Sequence, residues 1–197
     1  MPGLEGLDEL IVLAGDKGSV YWKARGTWLS GWLSSLTGEP ANAVELLTSG
    51  IATLQTTGAT LLAPTQSSCL AAAHAQLGQS ADARRCIDVA IAAIEKSKET
   101  WFEAEVNRIA GELTLLSPEH DATKAEAYFD RGLAIARQQQ AKSWELRAAM
   151  SLARLWRDRG KVQEARELLA PVYGWFTEGF DTRDLKEAKA LLEELAA

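Results

Sequence analysis

The hydrophobic positions of this chain recur at helical spacing, and small residues stand beside them at fixed offsets. After residue 65, Leu70-Ala71 is followed by Leu77-Gly78 and then by Ala83 and Ile87. Residues three or four positions apart share one face of a helix, so this spacing predicts a helix, a glycine turn and a second helix. The small residues would let the two apolar faces approach closely.

A similar unit recurs about every forty residues. The last copy contains Leu152-Ala153, Gly160, Ala165 and Leu169, and weaker copies cover 31–50 and 111–132. The units carry turn markers spaced by 40, 40 and 42 residues, which are Gly38, Gly78, Pro118 and Gly160. These offsets resemble the tetratricopeptide repeat, in which stacked helix pairs form a solenoid.

The pattern predicts an all-α fold, a tetratricopeptide-like α-α superhelix that forms a right-handed solenoid. We expect one repeat domain over residues 1–197, with a longer turn at 117–122 and an N-cap at Asp181 or Thr182 before a C-terminal capping helix. Residues 7–13 look like the end of a preceding helix without its partner, which suggests the C-terminal part of a larger protein. The predicted helix pairs are 19–57 (19–37 and 40–57), 60–97 (60–77 and 80–97), 99–140 (99–116 and 122–140) and 142–177 (142–159 and 162–177), with the cap at 184–196.

Composition excludes some classes of function. Hydrophobic residues make up 47% of the chain and charged residues 24%, as in ordinary globular proteins, so we expect a folded chain. The net charge of −6 argues against nucleic acid as a partner, because binding phosphates needs a basic excess. No apolar run is long enough to span a membrane and no signal peptide is evident, so we expect a cytoplasmic protein that does not bind membranes.

Candidate chemistry is sparse. The sequence contains no phosphate-binding glycine loop, and its two histidines are too few for most metal sites. We expect His74 to pack in the core and His120 to lie in a solvated loop. Cys69 and Cys86 fall in helical, alanine-rich surroundings and are predicted to be buried thiols. We therefore predict no catalytic residues, no metal and no cofactor.

The second half carries a more specific resemblance. From Trp101 to Leu195 the chain resembles the C-terminal tetratricopeptide region of bacterial multidomain regulators that join an adenylate/guanylate cyclase domain, a predicted ATPase and helical repeats. That resemblance implies a signalling scaffold whose catalytic domains lie upstream. Position 107 is Asn where the family is expected to favour His. The resemblance is carried by 104–108 (AEVNR), 111–113 (GEL), 125–129 (AEAYF), 145–149 (ELRAA), 151–156 (SLARLW) and 176–182 (FTEGFDT).

Partner-binding residues can be assigned from the repeat register. In tetratricopeptide folds the first helix of each pair lines a groove, and Gly31, Ala71, Gly111 and Ala153 serve as anchors for that register. The arginines at the C-terminal end would suit an acidic peptide or an acidic neighbouring domain. Alternatively, Glu105, Glu112 and Asp158 pair with these arginines and form a structural ladder. The predicted groove residues are Arg25, Trp28, Trp32, Thr65, Ser68, Gln76, Glu105, Arg108, Glu112, Arg147, Met150, Arg154, Arg157 and Asp158.

The helix predicted at 19–37 is apolar on two sides. Trp22, Leu29, Leu33 and Leu36 form one face, and Tyr21, Trp28 and Trp32 form another. Such a helix needs a second neighbour, which could be residues 4–14, a bound peptide, an absent repeat or a second copy. Residues 1–98 hold 7 basic and 9 acidic residues against 14 and 18 in 99–197, so the less charged half is the expected contact region. The predicted function is a non-catalytic interaction scaffold attached to a cyclase or ATPase, with a stand-alone peptide adaptor or a homodimerisation module as alternatives.

Overall fold

The computed structural model describes residues 2–196, with side chains from residue 6 onward, and this part of the chain folds into ten α-helices without strands. The all-helical class predicted from the spacing is confirmed. The helices are α1 (Pro2–Asp16), α2 (Val20–Leu36), α3 (Pro40–Thr56), α4 (Ala63–Gln76), α5 (Ser80–Ser97), α6 (Glu103–Leu116), α7 (Ala122–Gln138), α8 (Lys142–Asp158), α9 (Val162–Tyr173) and α10 (Arg183–Glu194).

Local sequence explains most helix ends. The short turns after α2, α4 and α8 each contain a glycine at positive φ, namely Gly38, Gly78 and Gly160, a conformation that other residues adopt only with strain. The turn between α6 and α7 is longer, as predicted. There the Asp121 side chain caps α7 by accepting a hydrogen bond of 2.9 Å from the backbone N–H of Lys124.

Three helix ends differ from the prediction. α4 begins at Ala63, three residues late, because Pro64 suits the first turn of a helix and has no N–H to bond further back. α6 begins at Glu103 rather than 99. α9 ends at Tyr173, shortly after Pro171, and not at 177. Thr182 is the N-cap residue of α10.

Contacts within the chain define two compact units, Met1–Glu99 and Thr100–Ala197, which are described separately below as unit 1 and unit 2. Unit 1 contains α1 to α5 and unit 2 contains α6 to α10. The expectation of a single repeat domain over 1–197 stays a prediction.

Unit 1 is held together by close helix crossings. A Cβ atom at Gly31 would lie 2.8 Å from the backbone nitrogen of Leu47, and one at Gly50 would lie 2.8 Å from the backbone nitrogen of Trp28. The glycines therefore permit α2 and α3 to touch backbone to backbone. Helix α1 also packs on α2, where a Cβ at Gly26 would lie 2.7 Å from a carbon of the Ile11 side chain. The buried core between α2, α3 and α4 consists of Ala24, Trp28, Ala43, Leu47, Leu54, Cys69 and Ala73.

Unit 2 has a larger core, which includes Phe129. The ring of Phe129 is 1% exposed and fills the space that a side chain at Gly111 would need. Helix α10 packs against α8 and α9 and covers the last pair. Leu191 is buried on that face, whereas Leu192 is only half-buried. The residues that α10 buries are Leu185, Ala188, Leu191 and Leu195.

Candidate functional site

The predicted groove residues of unit 2 form a connected ion-pair network. Glu105 on α6 is 3% exposed and accepts hydrogen bonds from Arg108, whose Nε lies 2.7 Å from Oε2. Arg147 on α8 reaches the other oxygen of the same carboxylate, with Nη1 2.9 Å from Oε1. Arg108 also pairs with Glu112, which accepts a hydrogen bond of 3.0 Å from the Ser151 hydroxyl. The carboxylate of Glu105 therefore joins α6 to α8.

Burial and charge act in opposite directions on Arg108. Burial alone would lower the pKa of its guanidinium, but the charge and hydrogen bond of Glu105, the charge of Glu112 and that of Asp184 together raise it above its ordinary value. Arg108 thus stays charged inside the network. If Arg108 lost one of its carboxylate partners, a buried positive charge would be left without full compensation, which is costly. The network is therefore stable only when all of its ion pairs are formed.

The remaining arginines of α8 pair with α10. Arg147 Nε lies 3.7 Å from Asp184 Oδ2, and Arg154 Nη2 lies 3.2 Å from Glu187 Oε2. Arg157 Nη1 lies 2.5 Å from Glu194 Oε2, and Arg157 also contacts Asp158. These pairs are partly exposed and each contributes little energy.

The arginine-rich surface of unit 2 is consequently neutralised by the chain itself. Of the two interpretations drawn from the sequence, the geometry agrees with the ladder of ion pairs, because every predicted groove arginine of α6 and α8 has a carboxylate partner. The sequence reasoning missed the contribution of α10. The signal was present in the acidic side chains at Asp184, Glu187 and Glu194, which flank the apolar face of that helix.

Several predicted groove residues are buried, and their assignment to an accessible groove was wrong. In unit 1, Trp28 is 2%, Thr65 3% and Ser68 0% exposed, and in unit 2 Met150 is 3% exposed. Trp28 lies against Gly50 of α3, so its side chain is enclosed by the core. A register places a side chain on a helix face but does not show how closely the next helix approaches. Gln76 remains exposed and donates a hydrogen bond of 3.3 Å to the Ser35 hydroxyl.

Two side-chain polar atoms of unit 1 are buried without a hydrogen-bond partner among the described residues. They are the indole nitrogen of Trp28 and the hydroxyl oxygen of Thr65. Burying an unpaired donor or acceptor costs about 1–3 kcal/mol. The burial of these two groups therefore lowers the stability of unit 1.

An accessible surface of another shape lies on α2. Its solvent-facing side presents five residues spaced three, four, three and four positions apart. Trp22 is 54%, Trp32 38% and Leu36 52% exposed. Arg25 and Leu29 are half-buried. The sequence had placed Trp32 on a different face, together with Trp28. In the structure the two rings remain in contact but differ in exposure, since Trp28 is 2% exposed and Trp32 is 38% exposed. We call this surface the α2 stripe, and it consists of Trp22, Arg25, Leu29, Trp32 and Leu36.

Arg25 is the charged member of the α2 stripe. Its guanidinium carbon lies 4.7 Å from the centre of the Trp28 ring, and the rings of Trp28 and Trp32 stack with centres 5.9 Å apart. Within the described residues Arg25 forms no ion pair, in contrast to the paired arginines of unit 2. Neither α2 nor α4 contains an aspartate or glutamate. Because no described carboxylate pairs with Arg25, its guanidinium is the candidate anion-binding group of this surface.

The remaining candidate groups have local structural roles. His74 was expected in the core but is half-buried at the end of α4, where Nδ1 lies 2.6 Å from the side-chain oxygen of Gln79. His120 is exposed and its ring contacts the carbonyl oxygen of Leu115. Asn107 is buried and donates a hydrogen bond of 2.8 Å to the Glu103 carbonyl. No group of side chains within residues 6–196 is arranged to hold a metal ion.

The two cysteines differ in burial. Cys69 is buried as predicted, whereas Cys86 is only half-buried. Burial raises the pKa of the Cys86 thiol, the charge of Asp82 raises it further, and Arg85 counteracts this in part. Cys86 is therefore held as a thiol at neutral pH, which does not suit a nucleophile.

An open cavity of about 340 Å³ lies between α7, α8 and α9 in unit 2. Its charged wall is Glu145, which is 5% exposed and accepts hydrogen bonds from Lys142 Nζ at 2.6 Å and Arg137 Nε at 3.0 Å. Burial alone would raise the pKa of Glu145, but these two cationic donors outweigh it and lower the pKa below its usual value. The charges in the cavity thus satisfy one another.

The fold has the arrangement of tetratricopeptide-like helical repeats. Among solved structures, the chain is similar to two crystal structures of nearly identical TPR-like repeats from a Podosopora anserina protein described as a kinesin light chain. The first is 20% identical with a TM-score of 0.57, covering 87% of this chain and 84% of that chain. The second is 18% identical with a TM-score of 0.53, covering 97% and 86%.

The crystal structure of MamA is similar as well, at 19% identity and a TM-score of 0.52, over 93% of this chain and 95% of that chain. No family model matches the chain, and no curated protein matches it. At these identities the likeness concerns the fold. No helix in the described part of the chain is both long and apolar enough to cross a membrane.

Proposed function

We propose that this chain is a non-catalytic scaffold that binds another protein through the α2 stripe. The observation that carries the proposal is the contrast between the two units. The arginines of α6 and α8 are paired with carboxylates of their own chain, whereas Arg25 has no such partner among the described residues and lies over the ring of Trp28, which stacks with exposed Trp32. Exposed Trp and Arg side chains are the residue types that most often anchor protein interfaces.

The same contrast disfavours an acidic peptide as a ligand of unit 2. A ligand carboxylate that approached Arg154 or Arg157 would replace Glu187 or Glu194, and one ion pair would be exchanged for another at partly exposed positions. Such an exchange yields little net free energy. A carboxylate bound by Arg25 would displace only water.

A selection from a displayed library of random linear peptides tests the proposal. Binding of the enriched peptides should be lost in the double variant Trp22→Ala, Leu36→Ala, because both residues are more than half exposed and contribute more to a contact than to the core. Trp175→Ala is the matched control, since Trp175 is 57% exposed but lies in unit 2. Peptides that bind the double variant as tightly as wild type, or no enrichment at all, would refute the α2 stripe as the binding surface.

A second copy of the chain is the alternative occupant of the α2 stripe. Light scattering coupled to size exclusion over a hundredfold concentration range distinguishes it from a different protein. If wild type forms a dimer that the same double variant abolishes, self-assembly becomes the function. A monomer for both leaves the surface available to a separate partner.

We further propose that the parent protein is a regulator with upstream cyclase and ATPase domains, located in the cytoplasm. This context is supported only by the sequence resemblance of residues 101–195, and catalysis would belong to those domains. An immunoblot of the source cells with antibodies raised against this chain tests it. A band well above 21.4 kDa agrees with the proposal, whereas a band at that mass favours the stand-alone adaptor.

A further inference from the structure

The spacing of the α2 stripe points to the conformation of its partner. Trp22, Arg25, Leu29, Trp32 and Leu36 follow one another at intervals of three, four, three and four residues, the spacing of a helix seam that packs on a second helix. Over these intervals the seam is about 21 Å long at 1.5 Å per residue. We propose that the partner is an amphipathic α-helix that lies along α2 and places a carboxylate against Arg25. This inference rests on the proposed function of the α2 stripe.

A helix matches the spacing better than an extended peptide does. Successive positions of the α2 stripe are separated by an average of about 5.3 Å along the helix axis, the same as the mean spacing of seam residues in any helix. In an extended peptide, side chains on one face repeat about every 6.6 Å, so the mismatch grows by more than 1 Å per contact. After four contacts an extended peptide is out of register, whereas a helix of equal length stays in register.

Charge complementarity specifies one residue of that helix. Trp28 holds the guanidinium of Arg25 by its face, which leaves the N–H edge to meet a carboxylate in two parallel hydrogen bonds. Neither α2 nor α4 contains an acidic residue, and no carboxylate of the described residues of α1 or α3 forms an ion pair with Arg25, so we assign the carboxylate to the partner. The other four positions are apolar and would take apolar residues at the neighbouring seam positions of the partner.

The test uses the full chain and synthetic stapled helices of about 18 residues, labelled for fluorescence anisotropy. Each peptide carries Leu at four of its five seam positions and Glu at the fifth. In one peptide Glu stands at the second position, which faces Arg25 when the helix runs parallel to α2. In the other it stands at the fourth position, which faces Arg25 when the helix runs antiparallel. We expect one of them to bind wild type. Arg25→Glu should weaken that binding at least tenfold, which is about 1.4 kcal/mol. The matched control Lys23→Glu changes a charge of the same helix outside the α2 stripe and should alter affinity less than threefold.

A charge swap separates loss of the contact from loss of the fold. The peptide with Lys in place of Glu should bind Arg25→Glu better than it binds wild type. If it does not, or if Arg25→Glu binds the original peptide unchanged, the assignment of a carboxylate is wrong. If neither peptide binds at about 1 mM, the helical partner is refuted.

An unstapled peptide with the same seam residues and two prolines at other positions cannot form a helix. If it binds the α2 stripe as tightly as the stapled peptide, the helical partner is refuted while the proposed function stands. If library peptides are selected that do not depend on Trp22 and Leu36, the proposed function itself fails.

Discussion

The contact between α2 and α3 provides a strict test of the packing in unit 1. A Cβ atom added at Gly50 would lie 2.8 Å from the nitrogen, 2.9 Å from Cα and 2.9 Å from Cβ of Trp28. These neighbours are backbone or next to it, so no side-chain rotation relieves the clash. The variant Gly50→Ala therefore forces the two helices apart.

The size of the effect follows from two opposing contributions. Carbon atoms in contact prefer about 3.5–4.0 Å, so the helices must separate by at least about half an ångström around Trp28, which is 2% exposed. Overpacking of this kind costs about 1–3 kcal/mol. Alanine favours the helix over glycine by about 1 kcal/mol. We expect a net loss of about 1 kcal/mol for Gly50→Ala.

The matched control is Gly15→Ala in α1. A Cβ at Gly15 would have no neighbour within 4 Å, so only the helix preference acts and stability should rise by about 0.5–1 kcal/mol. Urea denaturation followed by far-ultraviolet circular dichroism measures both. If Gly50→Ala proves as stable as Gly15→Ala, the helices do not approach each other as closely as described.

Three further predictions concern charged and reactive groups. Glu105→Ala should lower stability by about 3–5 kcal/mol in urea denaturation, because it leaves Arg108 buried without its main partner, while Glu193→Ala on the exposed side of α10 should change stability by less than about 0.5 kcal/mol. The lowered pKa of Glu145 stabilises the fold above its unfolded value near 4.5, and this contribution disappears as the pH falls through the lower folded pKa. The stability gap between wild type and Glu145→Gln should therefore stay constant down to about pH 5 and shrink as the pH falls below about 4.5, and a gap that is still constant at about pH 3 would contradict the assigned ion pairs. The raised pKa of Cys86 predicts slow alkylation by iodoacetamide at pH 7, because the rate follows the thiolate fraction, and the rate should still be rising above about pH 8.5, where an ordinary cysteine levels off; rapid alkylation at pH 7 would contradict it.

Much of the fold could be predicted from local pattern. The helix from Ser80 to Ser97 was placed to within a residue because its apolar positions recur at helical spacing and Gly78 marks the preceding turn. The prediction was less accurate at α4 and α6. Gly58 marks the end of α3 but lies several residues before α4, and the connection to α6 contains no glycine. At α9, Pro171 lies inside the last turns, and the pattern alone does not reveal that the helix ends two residues later.

For the candidate sites, the sequence predicted some side-chain placements and not others. The register assigned Glu105 and Arg147 equal offsets in successive repeats, and the structure places their side chains 2.9 Å apart. It assigned Trp28 to an accessible groove, although Gly50 allows α3 to enclose that residue. It also left open whether the arginines of α8 were available, since their partners on α10 lie about 30 to 40 positions away in the chain.

The sequence by itself determined the elements that depend on neighbours within a few residues, namely the helices, their glycine turns and their apolar faces. Only the tertiary structure decided which polar groups are paired and which aromatic residues stay in contact with solvent. The physical reason is that burial and charge pairing depend on distances between segments remote in sequence. A glycine at position 50 or an acid at position 187 changes the surroundings of Trp28 or Arg154 without altering the local pattern around either.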